Sequence, residues 1–236
     1  MAKGPVKEAL VPSPLYVGMT KGIITRFEEI TRTPAEIQDS LISVMSDKVL
    51  NVPELEDDGL IFAKSGFNII GTANIRDKGV NEMSSALKRR FNFETVNPVK
   101  DVRLEKQIIL NEVEQSAIAD HIEMPIDTDV AELLAITYHE LREGVSESGM
   151  KIDKPSAVMS TAEAVSVFYQ TLSNAWYYEE KISLAELTQN LNNAVCKDTK
   201  DDLEKLKAYF NTVVKFKSEK LGGIWKEFYE TKKYLK

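Results

Sequence analysis

Two adjacent carboxylates close a short apolar run: Gly22-Ile23-Ile24-Thr25-Arg26-Phe27 reads as a strand and passes directly into Glu28-Glu29. A second, mostly apolar run, Phe67-Asn68-Ile69-Ile70-Gly71-Thr72-Ala73, follows Gly66 and ends at the amide Asn74. A third feature is the arginine pair Arg89-Arg90, at the end of a short helical stretch that begins near Ser84. In a parallel sheet, ligands sit beyond the carboxyl ends of the strands. Glu29 and Asn74 therefore face one crevice if their strands are neighbours. A carboxylate and an amide placed there can polarise a water for attack on a phosphorus atom. Each piece alone has an ordinary reading: acids at a solvated strand edge, an Asn in a turn, arginines on a solvated face. Their order and spacing together favour the chemical reading.

The elements that must position these groups are legible around them. Residues 1–97 hold seven of the eleven glycines and several short apolar runs, the texture of an α/β domain. After the acids, Thr33-Pro34-Ala35-Glu36 has the pattern of a helix start, with Thr as N-cap, Pro at the first helical position and Glu closing a capping box. Ile37, Leu41, Val44 and Met45 follow at helical spacing. Val49 to Leu55 and Leu60 to Ala63, separated by Glu56-Asp57-Asp58-Gly59, suggest a hairpin, and Phe91 to Val96 alternates like a strand.

Residues 98–236 read as nearly continuous helix. Helices are expected from about Val102 to Ala119 and from Asp129 to Glu143, with Pro125 between them and Gly144 as a stop. Ser160-Thr161-Ala162-Glu163 is a capping box opening a helix to about Tyr178, and Ser183-Leu184-Ala185-Glu186 is another. Leu203, Leu206, Phe210, Val213 and Val214 mark a further amphipathic helix, and Gly222-Gly223 breaks it before a last one rich in Lys and aromatics. The organisation expected is 1–97 as an α/β part, 98–196 as a helical unit and 197–236 as a helical extension.

Composition narrows the classes. A chain of 236 residues with 43% hydrophobic residues can bury a sizeable core. The net charge of −7 argues against a broad phosphate-tracking surface and so against nucleic acid as a partner. The lone Cys196 excludes intramolecular disulfides and multi-cysteine metal sites, and His139 is read as an ordinary packing or surface residue. No run approaches the roughly 18 apolar residues of a membrane span, and the opening MAKGPVKEAL lacks a secretion signal. A cytoplasmic protein is expected.

The run GIITRFEEITRTP (residues 22–34) resembles the Walker B strand and following turn of MoxR-like AAA+ ATPases, in the dynein-related AAA family. AEIQDSLISVMSDK (35–48) resembles the family's next helix, GFNIIGTAN (66–74) its sensor 1 strand, and RDKGVNEMSSALKRRF (76–91) the segment ending in the arginine finger. The resemblance is strong over residues 11–96, with TANIRDKG and ALKRRF the most specific stretches, and looser over the helices. It implies a fold class of α/β followed by all-α: part of an AAA+ P-loop NTPase core with a parallel sheet, then a helical lid and the C-terminal extension.

The resemblance assigns roles residue by residue. Glu28 falls on the Mg²⁺-associated acid, usually Asp, and would hold the ion directly or through water. Glu29 falls on the acid that orients the attacking water, and Asn74 on the sensor 1 residue that contacts that water or the γ-phosphate. Arg90, with Arg89 beside it, falls on the arginine finger that enters the neighbouring subunit's site, and Arg32 on an interface arginine. The cofactors implied are ATP and Mg²⁺. The assembly implied is a homo-oligomeric ring, a hexamer, that remodels a protein client in a chaperone-like manner, alongside partners bearing von Willebrand factor A domains.

The chain departs from the family's pattern in two places. The sensor 2 position falls on Ser160-Thr161-Ala162, without an arginine, and no Gly is followed by Lys, so the G-x-x-x-x-G-K-[ST] phosphate loop is absent from these 236 residues. The expectation is truncation, a late-called start, or true loss of the loop; residues 1–19 are read as the loop preceding Walker B. Two rival readings stand beside the ring ATPase. One is a non-catalytic AAA+-like assembly protein that has lost nucleotide binding. The other is a helical nucleic-acid-associated factor drawing on Lys215, Lys217, Lys220, Lys226, Lys232, Lys233 and Lys236, although interleaved acids favour a solvated helix face.

Overall fold

The computed structural model describes residues 10–53, 59–74, 81–197 and 200–236. The chain divides into two compact units, residues 1–95 and 96–236.

In the first unit, helix α1 (Pro14–Lys21) precedes strand β1 (Ile24–Phe27). The segment read as a loop therefore carries a helix. Ser13 accepts a hydrogen bond from the Tyr16 N–H and Pro14 occupies the first helical position, the two signals that start a helix without a long apolar stripe. A 3₁₀ turn (Ile30–Arg32) leads to α2 (Ala35–Ser46). The expected capping box at Thr33 does not form. The Thr33 hydroxyl instead donates back to the Ile30 carbonyl at 2.6 Å, closing the 3₁₀ turn, and α2 starts without a side-chain cap. Strands β2 (Val49–Asn51) and β3 (Leu60–Phe62) pair antiparallel, as the hairpin reading expected, while its turn residues 56–58 lie outside the described residues. Strand β4 (Asn68–Gly71) and the short α3 (Ser85–Lys88) complete the unit. Residues 91–96, expected as a strand, pair with nothing in the described residues; Phe93 is 65% and Val96 93% exposed, so alternation alone had no partner to satisfy it.

Strand β1 pairs with β4 in parallel, Ile24 opposite Asn68 and Phe27 opposite Gly71. Two glycines let the strands start side by side. Gly22 and Gly66 both hold positive φ, and a Cβ on Gly66 would stand 2.5 Å from the Gly22 carbonyl oxygen. One on Gly22 would stand 2.3 Å from that of Ser65. Only residues without a Cβ allow that approach. The Thr25 and Ile69 side of the pair is buried, with Ile69 in a core of Met19, Ile30, Leu41, Val44, Phe67, Met83 and Leu87. Ile24 and Ile70 are exposed.

The second unit is helical: α4 (Val102–Ala119), α5 (Thr128–Glu143), α6 (Thr161–Tyr177), α7 (Leu184–Val195), α8 (Lys200–Tyr209), a π-helical turn (Phe210–Val214), α9 (Lys215–Leu221) and α10 (Gly223–Glu230). One core runs from Ile109 through Tyr138, Phe168, Leu191, Phe210 and Phe228 to Leu235. Residues 197–236, set apart by sequence as an extension, thus supply part of the same core. The capping box at Ser160 forms in both directions. That at Ser183 forms by half: the Ser183 hydroxyl accepts from the Glu186 N–H, while the Glu186 carboxylate is taken by the Asn174 amide.

Charge is buried in this unit at two places. Arg142 meets Glu105, which is fully buried, at 2.7 Å, and also donates to the carbonyls of Met159 and Val99. Lys217 reaches Glu140 at 2.9 Å and lies over the Trp225 ring at 4.5 Å, and Tyr209 donates to Glu140 at 2.7 Å. Lys217 is therefore not a member of a solvated basic face. No described helix is long and apolar enough to cross a membrane.

Candidate functional site at the carboxyl edge of the parallel pair

Because β1 and β4 are parallel neighbours, the residues that follow them emerge at one edge: Glu28 and Glu29 from β1, Thr72 to Asn74 from β4. Backbone bonds continue the pairing past the strands, from the Thr72 N–H to the Phe27 carbonyl and from the Ile30 N–H to the Thr72 carbonyl, both at 2.9 Å. Between them the Glu29 backbone turns left-handed, at φ 51 and ψ 48. That conformation costs a non-glycine residue roughly 1–2 kcal/mol. It is held by the Glu29 N–H, which donates to the Thr72 hydroxyl at 3.0 Å.

The two carboxylates are held differently. Glu28 accepts from the Thr72 hydroxyl on one oxygen and pairs with Arg26 on the other. Glu29 pairs with Arg32 at 2.6 Å. Both acids remain about half exposed, at 51% for Glu28 and 57% for Glu29, and so in contact with water. Asn74 stands three residues beyond the end of β4 and is exposed. The neighbouring parallel strands that the sequence reading required are present, with Glu28 and Glu29 following β1 and Asn74 three residues after β4.

Thr72 was not singled out in the sequence, yet it ties the two strand ends together. The available signal was a hydroxyl residue two positions before Asn74, at the end of an apolar strand. Arg26 was missed as well, because alternation marks it only as an outward-facing strand residue.

Arg90 is anchored elsewhere. Arg90 donates from Nε to the Ser46 hydroxyl and from a terminal nitrogen to the Ala86 carbonyl, both at 2.9 Å. Ser46 is the last residue of α2, whose first residue follows the turn after Glu29. A helix of 12 residues is about 18 Å long, so Arg90 is fixed near the opposite end of α2 from the acids. Arg89 is exposed and its side chain has no partner among the described residues. Residues 75–80 of the segment leading to these arginines lie outside the described residues.

At Ser160-Thr161-Ala162, where the resembling family carries a sensor arginine, Thr161 donates to the buried Glu105 at 2.8 Å. Arg142, which shares Glu105, comes from α5, with its side chain 7% exposed. Among the described residues no group of three or more His, Cys, Asp or Glu side chains is gathered to hold a metal. Glu28 does place one half-exposed carboxylate at the strand end, and Mg²⁺ characteristically binds through one or two carboxylates, with water and phosphate completing its shell.

The fold and this edge define a class that comparison with known proteins makes specific. Residues 1–91 match the AAA domain of the dynein-related subfamily. Residues 103–236 match the C-terminal domain of YehL-like AAA+ ATPases, and the chain belongs to that AAA+ ATPase family. It is 42% identical over 234 residues to the uncharacterized protein YehL of Escherichia coli (strain K12). That match covers 98% of this chain and 64% of the relative, so the chain spans about two thirds of the relative's length. No solved structure matches. AAA+ ATPases characteristically use ATP and Mg²⁺.

Proposed function

We propose that this chain carries the hydrolytic half of an AAA+ ATPase site, with Glu29 and Asn74 acting on the attacking water and Glu28 on the magnesium side. The observation that carries the reading is the parallel pairing of β1 with β4, which sets the strand ends leading to the two acids and to the amide side by side. Glu29 holds a half-exposed carboxylate, a base able to orient water and take up its proton. Asn74 offers an amide that can donate to a phosphate oxygen and accept from the same water. Glu28, aligned by the Thr72 hydroxyl, would hold magnesium directly or through water. The ion, when bound, neutralises charge on the phosphate oxygens.

The phosphate cradle in this reading comes from chain outside the 236 residues, which contain no Gly-Lys loop. Two observations support it: the relative is longer than the match, and Ile24 and Ile70 leave open a face that parallel sheets ordinarily cover. The arginines complete the proposal. With Arg90 anchored far from the acids of its own unit, the Arg89-Arg90 corner is suited to a neighbouring subunit's nucleotide in a ring of copies, for which the family resemblance suggests a hexamer. Work on a protein client, together with a partner bearing a von Willebrand factor A domain, extends the same proposal from that resemblance.

The test uses a chimaera in which a phosphate-loop segment from a related AAA+ ATPase precedes this chain. Glu29→Gln should retain ATP binding and slow hydrolysis by about 10²-fold or more, the usual weight of a positioned base. Glu28→Gln should weaken the Mg²⁺ dependence of binding. A silent Glu29→Gln beside a slow Glu28→Gln with unchanged affinity would reverse the two roles.

A further inference from the structure

At one end of the helical unit, the residues after α4 and α6 come together around Trp176. An open cavity of about 440 Å³ is lined by Glu123, Met124, Trp176, Tyr177, Glu179 and Glu180, among others. A second, of about 380 Å³, shares Trp176 and Tyr177 and adds Asp120. Trp176 is 42%, Tyr177 72% and Tyr178 67% exposed, whereas the chain's other tryptophan, Trp225, is 7% exposed and packed in the core. Tyr177 and Tyr178 stand edge to face, with ring centroids 5.0 Å apart. Three aromatic side chains in succession are thus left in water where α6 ends. Such contiguous apolar exposure marks interaction surfaces, and Trp and Tyr are the residues that dominate their energetics.

The charge around these rings has one sign. Glu123, Glu179 and Glu180 make no side-chain hydrogen bond or ion pair among the described residues. Asp120, in the second cavity, accepts from Tyr169. No Lys or Arg lines either cavity, and Lys181, next in the chain, lines neither. Uncompensated carboxylates beside π faces repel phosphate and carboxylate ligands. They attract an ammonium or guanidinium group, which gains from the ring face and from charge-assisted hydrogen bonds together.

We propose that this aromatic-acidic cavity is a docking site for a basic segment of a partner protein, an extended Arg- or Lys-bearing peptide whose cations sit over Trp176 and Tyr177 and pair with Glu123, Glu179 and Glu180. The site lies wholly within the helical unit and stands or falls independently of the nucleotide chemistry. It gives the helical unit a role of its own, recognition of a positively charged client or adaptor.

With two tryptophans, one of them buried, acrylamide quenching of the chain's fluorescence reports chiefly on Trp176. The chain is titrated with a twelve-residue Gly-Arg repeat peptide, and with Gly-Glu and Gly-Ser repeats of equal length. The basic peptide should protect Trp176, with an affinity that falls as salt rises, and the other two should not. By calorimetry, Glu123→Gln/Glu179→Gln/Glu180→Gln should weaken binding about tenfold or more, as should Trp176→Leu, while Trp176→Phe retains it. The charge-matched control Glu219→Gln/Glu227→Gln/Glu230→Gln should bind like the parent. Four results would overturn the proposal: no protection by the basic peptide at low salt, equal binding of the acidic or neutral peptide, or equal loss in the charge-matched control. The fourth is protection of Trp176 without peptide that grows with protein concentration alongside self-association in sedimentation, which would assign the surface to a second copy.

Discussion

Thr72 donates its hydroxyl hydrogen to the Glu28 carboxylate across the end of the parallel pair, so the strand that ends in the acids and the strand that leads to Asn74 are locked at the edge where chemistry is proposed. The same hydroxyl oxygen accepts from the Glu29 N–H and supports its left-handed turn.

That bridge predicts a difference between two small substitutions. Thr72→Val keeps shape but leaves the Glu28 carboxylate and the Glu29 N–H without their partner, and should cost about 1 kcal/mol of stability. Thr72→Ser keeps the hydroxyl and should recover most of it. Urea unfolding of the three chains decides; equal losses in Val and Ser variants would assign the effect to packing.

The glycine pair before the strands predicts a larger effect. Gly66→Ala must hold φ near 96 and place a Cβ 2.5 Å from the Gly22 carbonyl oxygen. The left-handed backbone alone costs roughly 1–2 kcal/mol, and the contact adds to it. The thermal midpoint of the first unit's transition should fall. An unchanged midpoint would mean that the two strand starts are not pressed together.

Helix α6 offers a pH test. Burial raises the Glu163 pKa, but its bonds from Lys197 and Ser160 outweigh burial and leave it below the usual carboxylate range. A depressed folded-state pKa means stability present above the unfolded value and lost as pH falls through the folded one. Glu163→Gln should therefore be less stable than the parent at pH 7, and the gap should close as the solution is acidified through and below the ordinary carboxylate range. A gap independent of pH would show that the charge of Glu163 is not what supports the cap.

The 236-residue chain by itself should bind Mg·ATP weakly or not at all, because backbone N–H groups and a lysine of a phosphate loop supply most contacts to the β- and γ-phosphates in P-loop enzymes. Titration calorimetry checks this. Micromolar affinity would mean that the phosphates are held by groups other than those of a Gly-Lys loop.

What was legible in the sequence was local. The bounds of α4 and the cap of α6 follow from patterns a few residues long, and both appear as read. The strand ends carrying Glu29 and Asn74 were legible for the same reason, but their adjacency was not, because pairing is a long-range choice. Thr72 escaped notice because its partners come from the other strand end, 43 and 44 positions away. Lys217 was grouped with surface lysines because its burial depends on Glu140, far back in the chain on α5. Thr33 failed as a cap because the preceding turn offered its hydroxyl a closer acceptor. The π-helical turn between α8 and α9 left no periodic trace, since a bonding loop longer by one residue over a run of five is invisible to a 3.6-residue pattern.

The proposed ATPase site is shared between copies, with the acids from one subunit and the arginines from the next. In the chimaera carrying a phosphate loop, Glu29→Gln subunits have a dead pocket and good arginines, and Arg89→Ala/Arg90→Ala subunits have a whole pocket and no finger. Each should assemble and bind ATP but not hydrolyse it, since a finger is worth about 10³–10⁵ in rate where measured in other NTPases. The decisive measurement is the ATPase rate of the two mixed over a range of ratios, with assembly followed by sedimentation. Activity should reappear on mixing and peak at intermediate ratios; a flat zero from well-assembled mixed rings would contradict a shared site.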